Sequence, residues 1–258
     1  MGDPAMAKRV HQRTRTLASS GGPTDKERDY LEIIYALTQS DEPVIAASLG
    51  RRLGVQPPTV SHALQQLVDK GFILRDERNQ ITLTSQGQKL AEEIVQRQRV
   101  LEHFLARVVG IPWHLLYVEA ARLERVLSPI LAERVFSLVG PVTSCPHGNP
   151  IPGRSQTYIG DVRLDTATVG TMFTIQRIAE EAEAQVDLMR YLELNSLTPG
   201  TQCFIPDTSP VYGVTLRRCN QNITVSPEVA AVVWGDSALI TEARQVFGFG
   251  DEAATGVT

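Results

Sequence analysis

Residue types and spacing in this chain suggest three kinds of chemistry. The thiols Cys145, Cys203 and Cys219, with His147 beside the first in "CPHG", are soft donors that could hold an iron–sulfur cluster or another soft metal and would respond to oxidation. No two cysteines are close in sequence, so spacing gives this no support, and buried, inert thiols are the simpler reading. A second group, Gln56, Pro57, Pro58, Thr59, Ser61 and His62 in "GVQPPTVSHALQQLVDKG", holds amides and hydroxyls that can reach base edges and prolines that can pack on a thymine methyl. Lys70, Arg75 and Arg78 follow as candidates for phosphate contacts. The third, "EAARLERVLS", sets Glu119, Arg122, Glu124 and Arg125 around an apolar stripe of Ala120, Leu123 and Leu127, and by itself reads as a solvated helix face with salt bridges. No nucleophile with its base, no phosphate-cradling glycine loop and no open metal site is evident, so an enzyme is not expected.

These residues need elements to position them. Thr24 or Asp25 can cap a helix through "KERDYLEIIYAL", whose apolar face is Leu31, Ile34, Tyr35 and Leu37. A short helix in "IAASLGRRL", a turn at "GVQPP" and a third helix stopped by Gly71 follow. Then "FILRDERNQITLT" alternates around a charged turn at Asp76 to Asn79, which predicts a β-hairpin. Three helices closed by a hairpin make a winged helix-turn-helix, with the third helix in the major groove and the hairpin over phosphates. From Ser85 to Leu138 apolar residues recur at helical spacing, interrupted only near Gly110 and Pro112. That is more apolar face than one DNA-binding module can bury, so a homodimer on a pseudo-palindromic double-stranded operator is the natural expectation. After a Pro/Gly-rich break in "SCPHGNPIPGRSQ", short strands and one helix predict a small β-barrel.

The 258 residues carry a formal net charge of −4, are 42% hydrophobic and 21% charged, and contain no apolar run long enough to span a membrane. The N-terminus has no apolar signal core, so a cytoplasmic protein without a membrane partner is expected. Bulk charge argues mildly against nucleic acid, but Lys8, Arg9, His11, Arg13 and Arg15 form a basic arm while acids gather at Glu180, Glu181, Glu183 and Asp187. The expected fold class is mainly α with α+β parts. Its divisions are a tag remnant and basic flexible arm (1–23), a winged helix-turn-helix domain (24–84), a helical dimerisation domain (85–143), a linker (144–160), an SH3-like barrel (161–236) and a tail (237–258).

The strings "DYLEIIYAL", "GVQPPTVSHALQQLVDKGFI", "LTSQGQKLA", "CPHGNPIPG" and "LTPGT", in this order over most of residues 25 to 235, resemble the diphtheria-toxin-repressor family of metal-dependent transcriptional regulators. The resemblance implies a homodimeric repressor in which a divalent metal between the first helix and the dimerisation helices fixes the separation of the DNA-reading heads. Asp29 and Glu32, on one helix face, stand where the manganese-responsive branch has ligands, and Glu102 and Glu124 match too. The rest departs from the pattern. Gln98 replaces a histidine, Ala121 a glutamate or cysteine, and Arg125 a second histidine, and a guanidinium has no lone pair to give a metal. Arg125 is therefore expected in the cation's place, paired with some of Asp29, Glu32, Glu102 and Glu124, so that DNA binding could be independent of metal. The alternatives are a manganese- or iron-responsive site rearranged from those four carboxylates, or redox or iron–sulfur sensing by the cysteines. "CPHG" is common in the family, which favours a structural turn over a ligand string.

Overall fold

The computed structural model describes residues 22–39, 43–155, 159–218 and 221–239. The basic arm, most of the tail and Cys219 lie outside the described residues.

Helix α1 (Asp25–Thr38) begins where Thr24 caps it. The Thr24 amide donates to Glu27 Oε2 at 2.6 Å and the Glu27 amide donates back to Thr24 Oγ1, a reciprocal box that satisfies two otherwise orphaned donors. α2 (Ala46–Leu53) stops at Gly54, whose φ of 64° suits a residue without a side chain. The turn leads to Pro57, preset for the first position of α3 (Pro57–Asp69). Strands β1 (Ile73–Arg75) and β2 (Ile81–Leu83) pair antiparallel. The hairpin leans on the chain before α2 through Ile81 N–H to Val44 O at 2.8 Å. Leu31, Ile34, Leu49, Leu64, Leu67 and Ile73 are fully buried in the core these elements share, as helical and strand spacing requires.

α4 (Ser85–Phe104) packs against α1 and carries the core onward. Gly87 is where it crosses the wing: a Cβ there would lie 1.9 Å from the Phe72 carbonyl oxygen. α4 unwinds through one wide π-type turn (Leu105–Val109) to Gly110 and a short 3₁₀ turn (Trp113–Leu115), and α5 (Leu116–Glu124) and α6 (Pro129–Val139) follow. The break at Gly110 and Pro112 is thus joined by a second, at Arg125–Ser128, which periodicity did not reveal. Ser128 caps a new helix through the Leu131 amide at 3.3 Å, and Pro129, with no N–H to give, fits only at its start.

The C-terminal part is a six-stranded antiparallel sheet in the order β3-β8-β4-β5-β6-β7. Its strands are β3 (Val162–Arg163), β4 (Thr171–Ile178), β5 (Gln202–Ser209), β6 (Gly213–Arg218), β7 (Gln221–Val225) and β8 (Val233–Leu239). Register shifts after Ile175 in β4 and Phe204 in β5 bend the sheet around Phe173, Ile175, Ile205, Leu216 and Val233. Short helices α7 (Glu180–Glu183), α8 (Val186–Leu194) and α9 (Pro227–Ala230) lie between strands. β8 runs three residues past the expected end at Asp236, because Thr171 and Met172 of β4 give Leu239 and Ala238 partners.

Candidate nucleic-acid interface and metal centre

Gln56, Pro57, Pro58, Thr59, Ser61 and His62 are all exposed along the first turns of α3, while Val60, Ala63 and Leu64 on its other face anchor it in the core. Gln65 and Gln66 share the exposed side, a pair not singled out from the sequence although helical spacing from Ser61 and His62 points to them. Arg75 and Arg78 are exposed on the wing, and Arg75 donates to Asn79 Oδ1 at 2.9 Å. Lys70 is the exception among the expected phosphate contacts. Its ammonium pairs with the buried Glu27 carboxylate at 2.7 Å, a bond that ties α3 to α1. Burial alone would raise Glu27, but Lys70 and the Thr24 amide outweigh it and hold the carboxyl below its usual value.

The seven residues at the family's metal position come from α1, α4 and α5, with Arg125 just beyond α5, and cationic side chains already occupy two of the carboxylates. Arg125 Nη2 lies 2.5 Å from Asp29 Oδ1, both side chains about one-third exposed. Glu124, nearly buried, takes its partner from Arg28 on α1 and not from Arg125. Glu32 accepts from the Tyr117 hydroxyl at 2.9 Å, and burial pushes its carboxyl up to about 7. Gln98 is buried beside that hydroxyl, Ala121 offers no donor, and Glu102 turns elsewhere. Of the four carboxylates expected around Arg125 it meets Asp29 alone, and a second guanidinium, Arg28, takes Glu124. Two of the four carboxylates are thus taken by guanidinium groups, whose fixed positive charges would oppose a divalent ion at this position.

Glu102 instead joins the linker. In "CPHG", the Gly148 amide donates to Cys145 O at 2.9 Å and the Cys145 amide to Asn149 O at 2.8 Å, closing a tight turn. Gly148 has φ +94°, and a Cβ there would lie 2.1 Å from Gln176 O. The string is a structural turn, as its frequency in the family suggested, but it also aims two side chains at α4. Single ligand atoms of Glu102, Cys145 and His147 all lie within 4.8 Å of one another, and all three residues are buried. His147 Nδ1 is 3.0 Å from Glu102 Oε2 and 3.6 Å from Glu183 Oε1, and Cys145 Sγ is 3.8 Å from the same Glu183 oxygen. Asn149 Nδ2 steadies Glu183 at 2.6 Å.

Two features suit this group to a cation. Both Glu102 oxygens and His147 Nδ1 lack a well-directed hydrogen bond although fully enclosed, an arrangement that is costly without a partner. His147 Nε2 lies 3.1 Å from the Trp113 carbonyl, which can only accept, so Nε2 carries a proton and Nδ1 is the ring atom turned toward Glu102. Without a cation the charge balance favours bound protons. Burial would lower His147, but Glu183 and Glu102 outweigh it and raise it to about 9, and burial raises Glu183 to about 8 and Cys145 well above the usual thiol range. Cys203 is buried in the core of the C-terminal sheet and is not part of this group. Glu183, which completes the group, was visible in the sequence only as one of an acidic run. His103 and His114 belong to no ligand group among the described residues: His103 faces Ser144 O at 2.7 Å and His114 pairs with Glu193.

Comparison with known proteins accords with this layout. Residues 24–78 match the model for the N-terminal DNA-binding domain of iron-dependent repressors, and residues 84–153 match that for their metal-binding and dimerisation domain. The chain belongs to the diphtheria-toxin-repressor family. It is a DNA-binding transcriptional regulator. It is 28% identical over 221 residues to the iron-dependent repressor IdeR of Mycobacterium tuberculosis H37Rv, covering 81% of this chain and 96% of that one. To the diphtheria toxin repressor of Corynebacterium diphtheriae it is 27% identical over 173 residues, 67% of this chain and 74% of that protein. Among solved structures, a manganese-dependent transcriptional repressor in complex with manganese superposes with a TM-score of 0.71 at 27% identity, covering 82% of this chain and all of the other. IdeR of T. acidophilum gives 0.66 at 27% identity, over 84% of this chain and all of that one.

Proposed function

We propose that this regulator binds its operator as a homodimer and takes its effector, a divalent cation, at Glu102, Cys145, His147 and Glu183, while arginines fill the site its relatives' pattern reserves for metal. The observation that carries this reading is the contrast between the two places: Asp29 and Glu124 already have guanidinium partners, whereas the buried carboxylates of Glu102 and Glu183 close on the single ring of His147. A bound cation would supply the positive charge that the buried carboxylates and thiolate need to remain ionised. An imidazole and a thiolate beside two carboxylates form a mixed donor set that accommodates zinc or iron(II) as well as manganese. A three-thiolate iron–sulfur centre is less favoured, since Cys145 and Cys203 do not meet.

Dimerisation is supported by the large apolar side chains Val108, Val109, Val126, Ile130 and Leu138, each exposed between the end of α4 and the end of α6. The DNA surface is the exposed start of α3 with Arg75 and Arg78, and the protein acts on DNA in the cytoplasm without catalysing a reaction. No described helix is long and apolar enough to cross a membrane.

The test is equilibrium dialysis of metal-stripped protein against zinc, iron(II) and manganese, with DNA affinity measured in parallel. One ion per chain, lost in Cys145→Ser and His147→Gln but retained in Arg125→Ala, is expected. Binding that survives both cluster substitutions would overturn the assignment, and DNA affinity indifferent to chelation would make the regulator metal-independent.

A further inference from the structure

α7 carries three glutamates on a single turn, and each reaches a different part of the molecule. Glu183 turns inward to Cys145, His147 and Asn149. Glu180 pairs with Arg99 on α4, whose guanidinium also donates to Pro150 O in the linker. Glu181 reaches out to Arg52 at the end of α2, with Nη1 to Oε2 at 3.7 Å. Glu181 and Glu183 are two residues apart, about 200° around a helix, so one faces the cluster while the other faces the reading head. Ala182 between them is fully buried and pins the turn to the C-terminal core. Beneath this bridge lies a cavity of about 510 Å³ lined by residues of α1, α2, α4, α5 and α7, among them Glu32, Arg51, Gln98 and Tyr117.

We propose that α7 is a strap that communicates occupancy of the cluster to the DNA-reading head, with Glu181–Arg52 as the contact that carries the message. This rests on the reading of Glu102, Cys145, His147 and Glu183 as a cation site. A turn of four residues moves as one body, so a cation that holds Glu183 also holds Glu181. Arg52 ends α2, and only Gly54 to Gln56 separate α2 from α3, so a fixed Arg52 narrows the positions open to the recognition helix. A cation bound more tightly in the strapped arrangement therefore raises DNA affinity by shifting the population of heads toward it.

The experiment uses the full chain with zinc and manganese as probes and a duplex selected by the wild-type protein. It compares wild type, Glu181→Gln, Glu181→Arg and the charge swap Arg52→Glu with Glu181→Arg. Cation affinity is read by dialysis, the ratio of DNA affinities with and without cation by fluorescence anisotropy, and the position of α2 by amide hydrogen exchange. Glu181→Gln is expected to bind cation within about twofold of wild type and to lose about 1.4-fold to fivefold of the DNA ratio, the range for a partly exposed ion pair. Glu181→Arg loses more, and cation no longer slows exchange across α2. The swap recovers the ratio even where absolute DNA affinity falls. An unchanged ratio in both Glu181 variants with cation bound would overturn the strap alone. A wild-type protein that takes up no cation, or whose uptake survives Cys145→Ser and His147→Gln, would overturn the cluster reading and the strap with it.

Discussion

Replacing Arg28 by methionine keeps most of the side chain's bulk but leaves the Glu124 carboxylate, 3% exposed, without its cation. A buried pair broken on one side typically costs about 3–5 kcal/mol, because the remaining charge stays desolvated. The protein can escape by protonating the carboxyl instead. For an ordinary glutamate, with pKa about 4.3, holding the proton at pH 7 costs about 2.7 × 1.36, or roughly 3.7 kcal/mol. That sets a ceiling at neutral pH which drops by about 1.4 kcal/mol for each pH unit below it. Arg28→Met should therefore lose about 3 kcal/mol at pH 7 and about 1 kcal/mol at pH 5. Arg125→Met, whose pair with Asp29 is about one-third exposed on both sides, should lose less than about 1 kcal/mol at either pH. Urea unfolding at the two pH values, with m-values checked for constancy, measures both. Equal losses in the two variants, or an Arg28→Met loss that does not shrink toward pH 5, would refute the assignment of Arg28 as the cation that compensates Glu124.

The Glu27 carboxyl is held below its usual value in the folded chain, so its pair with Lys70 stabilises at neutral pH and that contribution is lost as pH falls through the lowered pKa; Glu27→Gln should flatten the acid limb of the stability curve. Gly148→Ala meets both a positive φ and the Gln176 carbonyl, and should lower Tm and cation affinity together, whereas Gly140→Ala, at φ +75° with open space around it, should lower Tm without changing cation affinity. Gln56→Ala or Ser61→Ala should relax discrimination at single base pairs by about 1–3 kcal/mol, while Arg78→Ala should weaken binding to all sequences and reduce the salt slope by about one, both read from anisotropy titrations at several salt concentrations.

Helix and strand periodicities, the Thr24 cap, Pro57, Gly71 and the charged hairpin turn made the winged helix legible from the chain alone, because each acts through neighbours a few residues away. The departure of Gln98, Ala121 and Arg125 from the ligand types of the family's pattern was equally legible, since donor chemistry belongs to the residue type whatever surrounds it. Which cation takes which carboxylate was not. Arg28 meets Glu124 across 96 residues, and Lys70 meets Glu27 across 43, so a lysine that reads as a phosphate contact proves to be a bond between two helices. The buried cluster shows the same limit more sharply. Glu102, Cys145, His147 and Glu183 come from a helix, a turn and the edge of another core, and no local spacing announces them as a set. Donor chemistry is a property of each residue type and is written in the sequence; which donors share one desolvated space depends on how helix, linker and sheet pack, and only the tertiary structure decides that.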